Sequence, residues 1–399
     1  MYNLKSLSIP TLLVSGKLIT DDTGSHLNLD FIWLTDINIP NICLFYNPEN
    51  GFTFIYSSRL NINLKQKIVS KVGKKIMFSS LTEFNKLVSS FSQKIHTLPN
   101  TDVSKIKINI ENLETSHLEL RCYQGRSIKH KKEIVRVKKA ALEVSLGIMK
   151  LWKSLVKMRS KTTMTLVRFL KKNISLDEEA YPIICSTKHN IPILHYPRYD
   201  SQISNDSLIL LDIGFKFDNY CCDITRCFPK NGKFSTEQKI IYELVLNCQE
   251  LILQKIKANI KFEDLENIAY LTLFEGLENI GFFMPHTLTS SQKIKWIAEN
   301  MMYHSLGHPV GLHVHDVSKY DILMPNMIYA IEPALYFSAK LHLQSLVNQE
   351  VLKKYKDIGG IRIEDTILIT EIGCQILNKI NGKQILPKKI KDIEKIMNH

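Results

Sequence analysis

The sequence predicts an α+β chain of two domains, a smaller α/β domain over residues 1–125 and a larger one over 126–399. Three observations carry this reading. At 399 residues the chain is longer than one hydrophobic core usually serves. Its first 125 residues hold short strand-like runs set apart by turn signals. The second part opens on a basic amphipathic helix and then carries apolar runs that lead into single carboxylates.

In the first part, Thr11–Val14, Phe31–Leu34, Ile42–Tyr46 and Thr53–Tyr56 read as strands, and Asn47-Pro48-Glu49-Asn50-Gly51 joins the last two as a hairpin. Lys129 to Trp152 reads as the helix that opens the second part. Beyond it, Leu208-Ile209-Leu210-Leu211-Asp212-Ile213-Gly214 and Cys222-Asp223-Ile224-Thr225-Arg226 flank the turn-like Phe217-Asp218-Asn219-Tyr220. With Asp218-Asn219 as a two-residue loop, Gly214 pairs with Asp223, and Asp212 lies diagonal to Asp223 on the same face. No side chain at Gly214 then blocks the space between the carboxylates. Asp218 fits a solvated turn. Asp212 does not, because four apolar residues precede it and a buried unpaired carboxylate is costly.

His304-Ser305-Leu306-Gly307-His308-Pro309-Val310-Gly311-Leu312-His313-Val314-His315-Asp316 places four histidines within twelve residues. A helical His-Glu-x-x-His zinc site needs Glu where Ser305 stands, and Pro309 between two glycines disfavours a helix. The expectation is an irregular loop presenting imidazoles, although a satisfied core histidine explains any one of them alone. Met327-Ile328-Tyr329-Ala330-Ile331-Glu332-Pro333 reads as a strand that is apolar until Glu332 and ended by Pro333. Ile361 to Ile369 reads as one alternating strand with Arg362 and Glu364 on a shared face, which by itself is an ordinary ion-pair face.

Asp212, Asp223, His308, Glu332 and Glu364 together offer four carboxylates and one imidazole. Hard oxygen donors with a single nitrogen suit a pair of Mn²⁺-like divalent ions better than a structural zinc. Two such ions share bridging carboxylates and hold a hydroxide between them, the arrangement of a hydrolase.

With these motifs in this order, the chain resembles the Xaa-Pro peptidases of the pita-bread metallopeptidase family, the prolidases and aminopeptidases P. The likeness covers essentially the whole chain. It is strongest from His195 to Ile369, through Asp212, Asp223-Ile224-Thr225-Arg226, residues 304–308, 311–316, 331–336 and 359–365. It implies a C-terminal pita-bread catalytic domain and an aminopeptidase P/prolidase-type N-terminal domain that narrows the active-site mouth and supports a homodimer. In that family's roles Asp212 chelates one metal, His308 and Glu332 bind the other, and Asp223 and Glu364 bridge both. Glu332 is the proton acceptor, His315 steadies the tetrahedral intermediate, and His304 lines the substrate pocket. His195 is a substrate-side histidine, and Arg362 orients carboxylate ligands.

The chain departs from the family pattern at Ser305, Asn326, Ala334 and Cys227, none of them a ligand. Val317 to Pro325 is short and offers only Lys319 where larger prolidases carry an arginine for the substrate carboxylate; Arg198 is the other cation at hand. Leu346 to Leu352 and Asp21-Asp22-Thr23-Gly24 look more like eukaryotic prolidases. The expected activity is an Xaa-Pro dipeptidase, with aminopeptidase P action on longer Xaa-Pro peptides as the alternative. A catalytically inactive binding module is the competing class. Inactive relatives typically lose ligands, and here all five are present.

Composition narrows the partners. Net charge is +13, and the region Lys129–Lys139 is strongly basic. A nucleic-acid partner is not expected, because lysine is abundant throughout and a charge run is by default a solvated helix face. The eight cysteines are scattered without a Cys-x-x-Cys, as in a reducing compartment. No apolar stretch approaches the roughly 18 residues of a membrane span. The start Met1-Tyr2-Asn3-Leu4-Lys5 carries no signal or transit pattern, so a cytoplasmic location is expected.

Overall fold

Thr11–Val14 (β1), the first run of β-branched and apolar residues, is a buried strand in the computed structural model, paired with Cys43–Asn47 in antiparallel register. The structure describes residues 7–399 apart from 9, 16–18, 22–23, 27, 59, 73–74, 100, 102, 105, 109, 160, 177 and 381. Asp22 and Thr23 of the prolidase-like stretch, and Met1 to Lys5, lie outside the described residues. The chain divides into two units, Met1–Arg126 and Ser127–His399.

In the first unit, β1 is followed by short β2 (Ile19–Asp21) and β3 (Gly24–His26), α1 (Leu29–Thr35), β4 (Cys43–Asn47), β5 (Phe52–Tyr56), α2 (Ile62–Val72), β6 (Ile76–Phe78), α3 (Leu81–Ser89), β7 (Ile95–His96), β8 (Leu113–Glu114) and α4 (Ser116–Ser127). A six-stranded sheet runs β6-β5-β4-β1-β7-β8. Leu12, Phe45, Phe84, Val88 and Ile95 form its core with the helix α3. The hairpin at Asn47–Gly51 joins β4 and β5 as the sequence indicates, with Gly51 at φ +70.

Phe31–Leu34 is helix, not strand. Asn28 accepts a hydrogen bond from the Phe31 amide at 3.0 Å and caps the first turn, while Asp36 closes the last turn in the left-handed region. All four residues are buried, so a continuous apolar run here marks burial on every side of a short helix rather than a strand.

The second unit opens on α5 (Lys131–Leu155), whose buried stripe includes Val137, Ala141, Val144, Ile148, Leu151 and Trp152. Lys131, Lys132, Lys138 and Lys139 face solvent, as expected of the basic run. Lys129 does not: it precedes the helix, and its ammonium is buried 3.3 Å from Asp316. After α6 (Thr163–Asn173) come β9 (Glu178–Glu179), β10 (Ile184–Thr187), β11 (Leu208–Ile213), β12 (Phe215–Phe217), β13 (Tyr220–Cys221) and β14 (Ile224–Pro229). Helices α7 (Thr236–Lys255) and α8 (Phe262–Asn279) follow. The last strands that matter here are β15 (Gly307–Pro309), β16 (Ile328–Ile331), β17 (Ala334–Tyr336), β18 (Gly360–Arg362), β19 (Asp365–Ile369) and β20 (Cys374–Ile376).

These strands form separate small sheets, β10-β11-β14, β13-β12-β9, β15-β16-β19-β20 and β17-β18. The register of β11 on β14 pairs Asp212 with Thr225, and that of β12 on β13 pairs Phe217 with Tyr220. Asp218 and Asn219 turn between them at φ 48 and 73, the left-handed pair of a two-residue hairpin loop. Continuing that register places Gly214 opposite Asp223 and Asp212 diagonal to it, the geometry expected from the spacing.

Two expectations are corrected. The histidine segment is not wholly irregular: Gly307–Pro309 is a strand, with His308 opposite Ala330. Ile361–Ile369 is not one strand but two, broken at Ile363-Glu364, because β18 pairs with β17 while β19 pairs with β16. Pro333 cannot donate a ladder hydrogen bond, so the partner strand is interrupted at the same level. Among the described residues, no helix is long and apolar enough to cross a membrane.

Candidate metal centre

Four of the five acid and imidazole ligand candidates stand at or beside the end or break of a strand. Asp212 is near the end of β11, Asp223 directly before β14, and His308 in the middle of the three-residue β15. Glu332 follows β16, and Glu364 fills the gap between β18 and β19. Such positions aim side chains out of the ladders, and here they converge.

The Nε2 of His308 lies 3.5 Å from Asp223 Oδ2 and 3.4 Å from Glu332 Oε1. Donor atoms of Asp223, His308 and Glu364 all fall within 4.8 Å of one another. Donors on one ion bonded at about 2.1 Å lie up to about 4.2 Å apart, so a small inward movement suffices for a shared cation. Asp212 joins through Tyr181, whose hydroxyl meets Asp212 Oδ1 at 2.5 Å and also contacts Asp223 Oδ1. One phenol carries one proton. The other close oxygen–oxygen contact therefore needs a second proton or a cation.

The electrostatics agree. Burial, with Asp223 adding to it against Arg362, pushes the Asp212 carboxyl up to about 6. Burial, reinforced by Asp223 and Asp212, pushes Glu332 up to about 7 despite His308 and Arg362. Burial among the other acids holds Glu364 well above the usual carboxylate range. Asp223 is held low: burial works against it, but the hydrogen bond and charge of His308 prevail. His308 is correspondingly raised to about 9, its carboxylate neighbours outweighing burial. A buried group of acids that resists full ionisation is a site built for positive charge, and an oxygen-rich donor set with one imidazole nitrogen fits divalent ions.

Around these residues lies a second layer. Arg362 Nη2 donates to Asp212 Oδ2 at 2.5 Å, Nε to Thr225 Oγ1 at 3.1 Å and Nη1 to Tyr336 Oη at 2.7 Å. Thr225 in turn donates to Glu364 Oε2 at 2.6 Å, so Arg362 and Glu364 meet through a threonine rather than as an ion pair. Tyr336 lies 2.9 Å from His304 Nε2. Because Arg362 already donates to that phenol, the phenol proton goes to His304, leaving its Nδ1 protonated toward the Ser305 carbonyl at 2.8 Å. Burial and the Arg362 charge bring His304 down to about 3. His315 packs edge-on against His308 at 4.3 Å between ring centroids, opens to solvent, and is lowered to about 4 by burial and by His308. His195 sits in an exposed turn and is an electrostatic neighbour of both His304 and His315.

The structure thus brings together Asp212, Asp223, His308, Glu332, Glu364, Arg362, His304, His315 and His195. It does not bring in Arg198, which stands exposed beside Asp200 at 3.7 Å, and Lys319 is exposed. Sequence reading missed Tyr181, Thr225 and Tyr336. Thr225 and Tyr336 lie inside quoted motifs and could have been found there. Tyr181 sits 31 residues before Asp212 in an unpatterned segment and gave no signal.

The sequence pattern of metallopeptidase family M24 matches residues 132–371. The chain belongs to this family. It is an enzyme of the hydrolase class, from a family that uses divalent metal ions. It is 28% identical over 390 residues to a probable Xaa-Pro aminopeptidase PEPP of Fusarium vanettenii, covering 89% of this chain and 82% of that one. It is 37% identical over 226 residues to the Xaa-Pro aminopeptidase of Haemophilus influenzae, covering 55% of this chain and 48% of that one. Among solved structures, the aminopeptidase PepP of Pseudomonas aeruginosa matches at a TM-score of 0.82 and 22% identity, over 100% of this chain and 96% of that one. Zinc-substituted Escherichia coli aminopeptidase P in complex with product matches at 0.79 and 21%, over 100% and 96%. These likenesses establish the pita-bread fold with a smaller N-terminal domain.

Proposed function

We propose that this chain is an Xaa-Pro aminopeptidase that releases the residue preceding proline from the N terminus of peptides. Asp212, Asp223, His308, Glu332 and Glu364 would hold two divalent ions, most suitably Mn²⁺ given the oxygen-rich donor set. The observation that carries this reading is the convergence of all five donors on one buried, incompletely neutralised acid cluster. When bound, the ions supply Lewis acidity toward the scissile carbonyl and an activated water. Asp223 and Glu364 would serve both ions, Asp212 one of them, and His308 with Glu332 the other. Glu332 would take the water's proton and return it to the leaving proline nitrogen. Arg362 fixes the Asp212 carboxylate. His315 faces the developing oxyanion, and His304 and His195 line the substrate side. The N-terminal domain, the aminopeptidase P/prolidase-type module over 1–125, supports a cytoplasmic homodimer, a reading that rests on the family resemblance.

Longer peptides are favoured over dipeptides. The relatives named above are Xaa-Pro aminopeptidases, and a dipeptidase must grip a carboxylate directly after proline. Arg362 is committed to Asp212, Thr225 and Tyr336, and Arg198 is turned to Asp200. The test sets an Xaa-Pro dipeptide beside Xaa-Pro-Xaa and longer peptides, with purified protein and added Mn²⁺. Efficient release from the longer peptides is expected. Cleavage of the dipeptide with the longer peptides left nearly untouched restores the dipeptidase reading, and no cleavage of any of them overturns both. Asp223→Asn is expected to abolish turnover and reduce the bound ions below two per chain while the fold persists, because a bridging ligand serves both ions.

A further inference from the structure

Behind the acid cluster, the break shared by the strands that carry Glu332 and Glu364 leaves two carbonyls, those of Ile331 and Ile363, at the edge of their ladders. Each belongs to the residue directly before a ligand candidate. Both are satisfied by one side chain from a different element. Gln249 of α7, fully buried, donates its amide to Ile331 O at 3.1 Å and to Ile363 O at 3.0 Å. Its own oxygen accepts from Lys388 Nζ at 2.7 Å, and Lys388 also pairs with Asp365 Oδ2 at 3.0 Å. Asp365 Oδ1 accepts from Arg226 Nη2 at 2.6 Å, and Arg226 donates to the carbonyl of Glu364 itself at 2.5 Å.

We propose that Gln249 is a positioning residue for the metal centre, its carboxamide tying the Ile363 carbonyl, which Pro333 has no N–H to serve, to the Ile331 carbonyl and so fixing the distance between Glu332 and Glu364. The proposal rests on the reading of those two residues as metal ligands. The physical reason is geometric. Where Pro333 and the Ile363-Glu364 break interrupt pairing, the remaining backbone link between the two ends is the long Ile363 N–H bond to Pro333 O at 3.4 Å, and a pair of ligands whose backbones spread loses its preorganisation for a shared ion. The amide group has two donors, and both are used. The oxygen is held by Lys388, so the amide cannot flip to present its acceptor to the carbonyls. Outer residues that hold ligands in place are worth about 10–100-fold in metal affinity or activity.

The test uses two variants of the full chain. Gln249→Met keeps the volume and removes every hydrogen bond. Gln249→Glu keeps the shape and the Lys388 contact but removes the donors to the carbonyls. Mn²⁺ alone is titrated calorimetrically into metal-free wild type and variants, with unfolding temperatures measured on the same metal-free samples. Both variants are expected to bind Mn²⁺ about 10–100-fold more weakly and to lose kcat more than they raise KM. Gln249→Glu keeps its contact with Lys388 as an ion pair and should stay folded, at a lower unfolding temperature because two buried carbonyls lose the amide donor, so it decides the matter if Gln249→Met unfolds. Mn²⁺ affinity within twofold of wild type in Gln249→Glu, or its failure to fold, reduces Gln249 to a structural role and overturns the proposal. If wild type itself binds no Mn²⁺, the ligand reading falls first.

Discussion

Arg362 and Asp212 are 150 residues apart in sequence and joined by a 2.5 Å hydrogen bond between Nη2 and Oδ2, both side chains almost fully buried. The same guanidinium holds Thr225 and Tyr336, so one planar group sets the orientation of a metal-ligand candidate, the threonine that donates to Glu364 and the His304 tautomer.

Arg362→Lys keeps the charge but not the fork. A lysine ammonium reaches one of the three partners in line, not all. The variant is expected to fold and to lose about 10–100-fold in kcat, with weaker Mn²⁺ binding. Steady-state kinetics together with a metal titration check this; unchanged kcat shows that the charge alone suffices.

His315 is exposed at the mouth of the cluster and neutral at working pH, its value lowered to about 4. An imidazole that donates to the developing oxyanion acts in the transition state and not on the ground state. His315→Ala should therefore lower kcat far more than it raises KM. A change confined to KM makes His315 a pocket wall.

The acid cluster gives the metal-free protein a specific pH dependence. Glu332 at about 7 and Asp212 at about 6 lie above the roughly 4 of an unfolded carboxyl, so the fold binds protons that the unfolded chain has released. Their contribution is complete below about pH 4 and is lost as pH rises through 6 and 7. His308, raised to about 9, does not offset this, because its contribution declines only above the ordinary histidine range. Mn²⁺ replaces the protons. The rise in unfolding temperature on adding saturating Mn²⁺ should thus be larger at pH 7.5 than at pH 5.5. Scans with and without the ion at both values decide it, and an equal rise at both contradicts this account of the acid cluster.

Arg226, Asp365 and Lys388 form a buried charge triad directly behind Glu364, with side chains 0%, 0% and 6% exposed. Arg226→Met removes one cation, takes the guanidinium donor from the carbonyls of Glu364 and Leu386, and leaves the Thr225 carbonyl with the Glu364 amide alone. Breaking a buried pair from one side costs about 3–5 kcal/mol. Denaturant unfolding of the metal-free protein should show a loss of that order; a midpoint unmoved from wild type shows that Lys388 alone compensates.

How much of this could be read from the chain follows from range. The five ligand candidates, the Asp218-Asn219 turn and the diagonal placement of Asp212 and Asp223 were legible, because each rests on local spacing and on a turn that only left-handed residues such as Asp and Asn readily adopt. Family membership was legible because the motifs recur in order. Phe31–Leu34 was misread because four consecutive apolar residues report burial and not period, and only the Asn28 cap chose helix. The break at Ile363-Glu364 was invisible because strand alternation passes through it unchanged; which strand each half pairs with is decided by the partner. Tyr181, Tyr336 and Gln249 acquire their roles only when elements distant in sequence close on the cluster. Sequence by itself determined the chemistry of the donors. Tertiary structure decided their neighbours, and through burial and mutual repulsion it decided which carboxyls keep a proton until a cation replaces it.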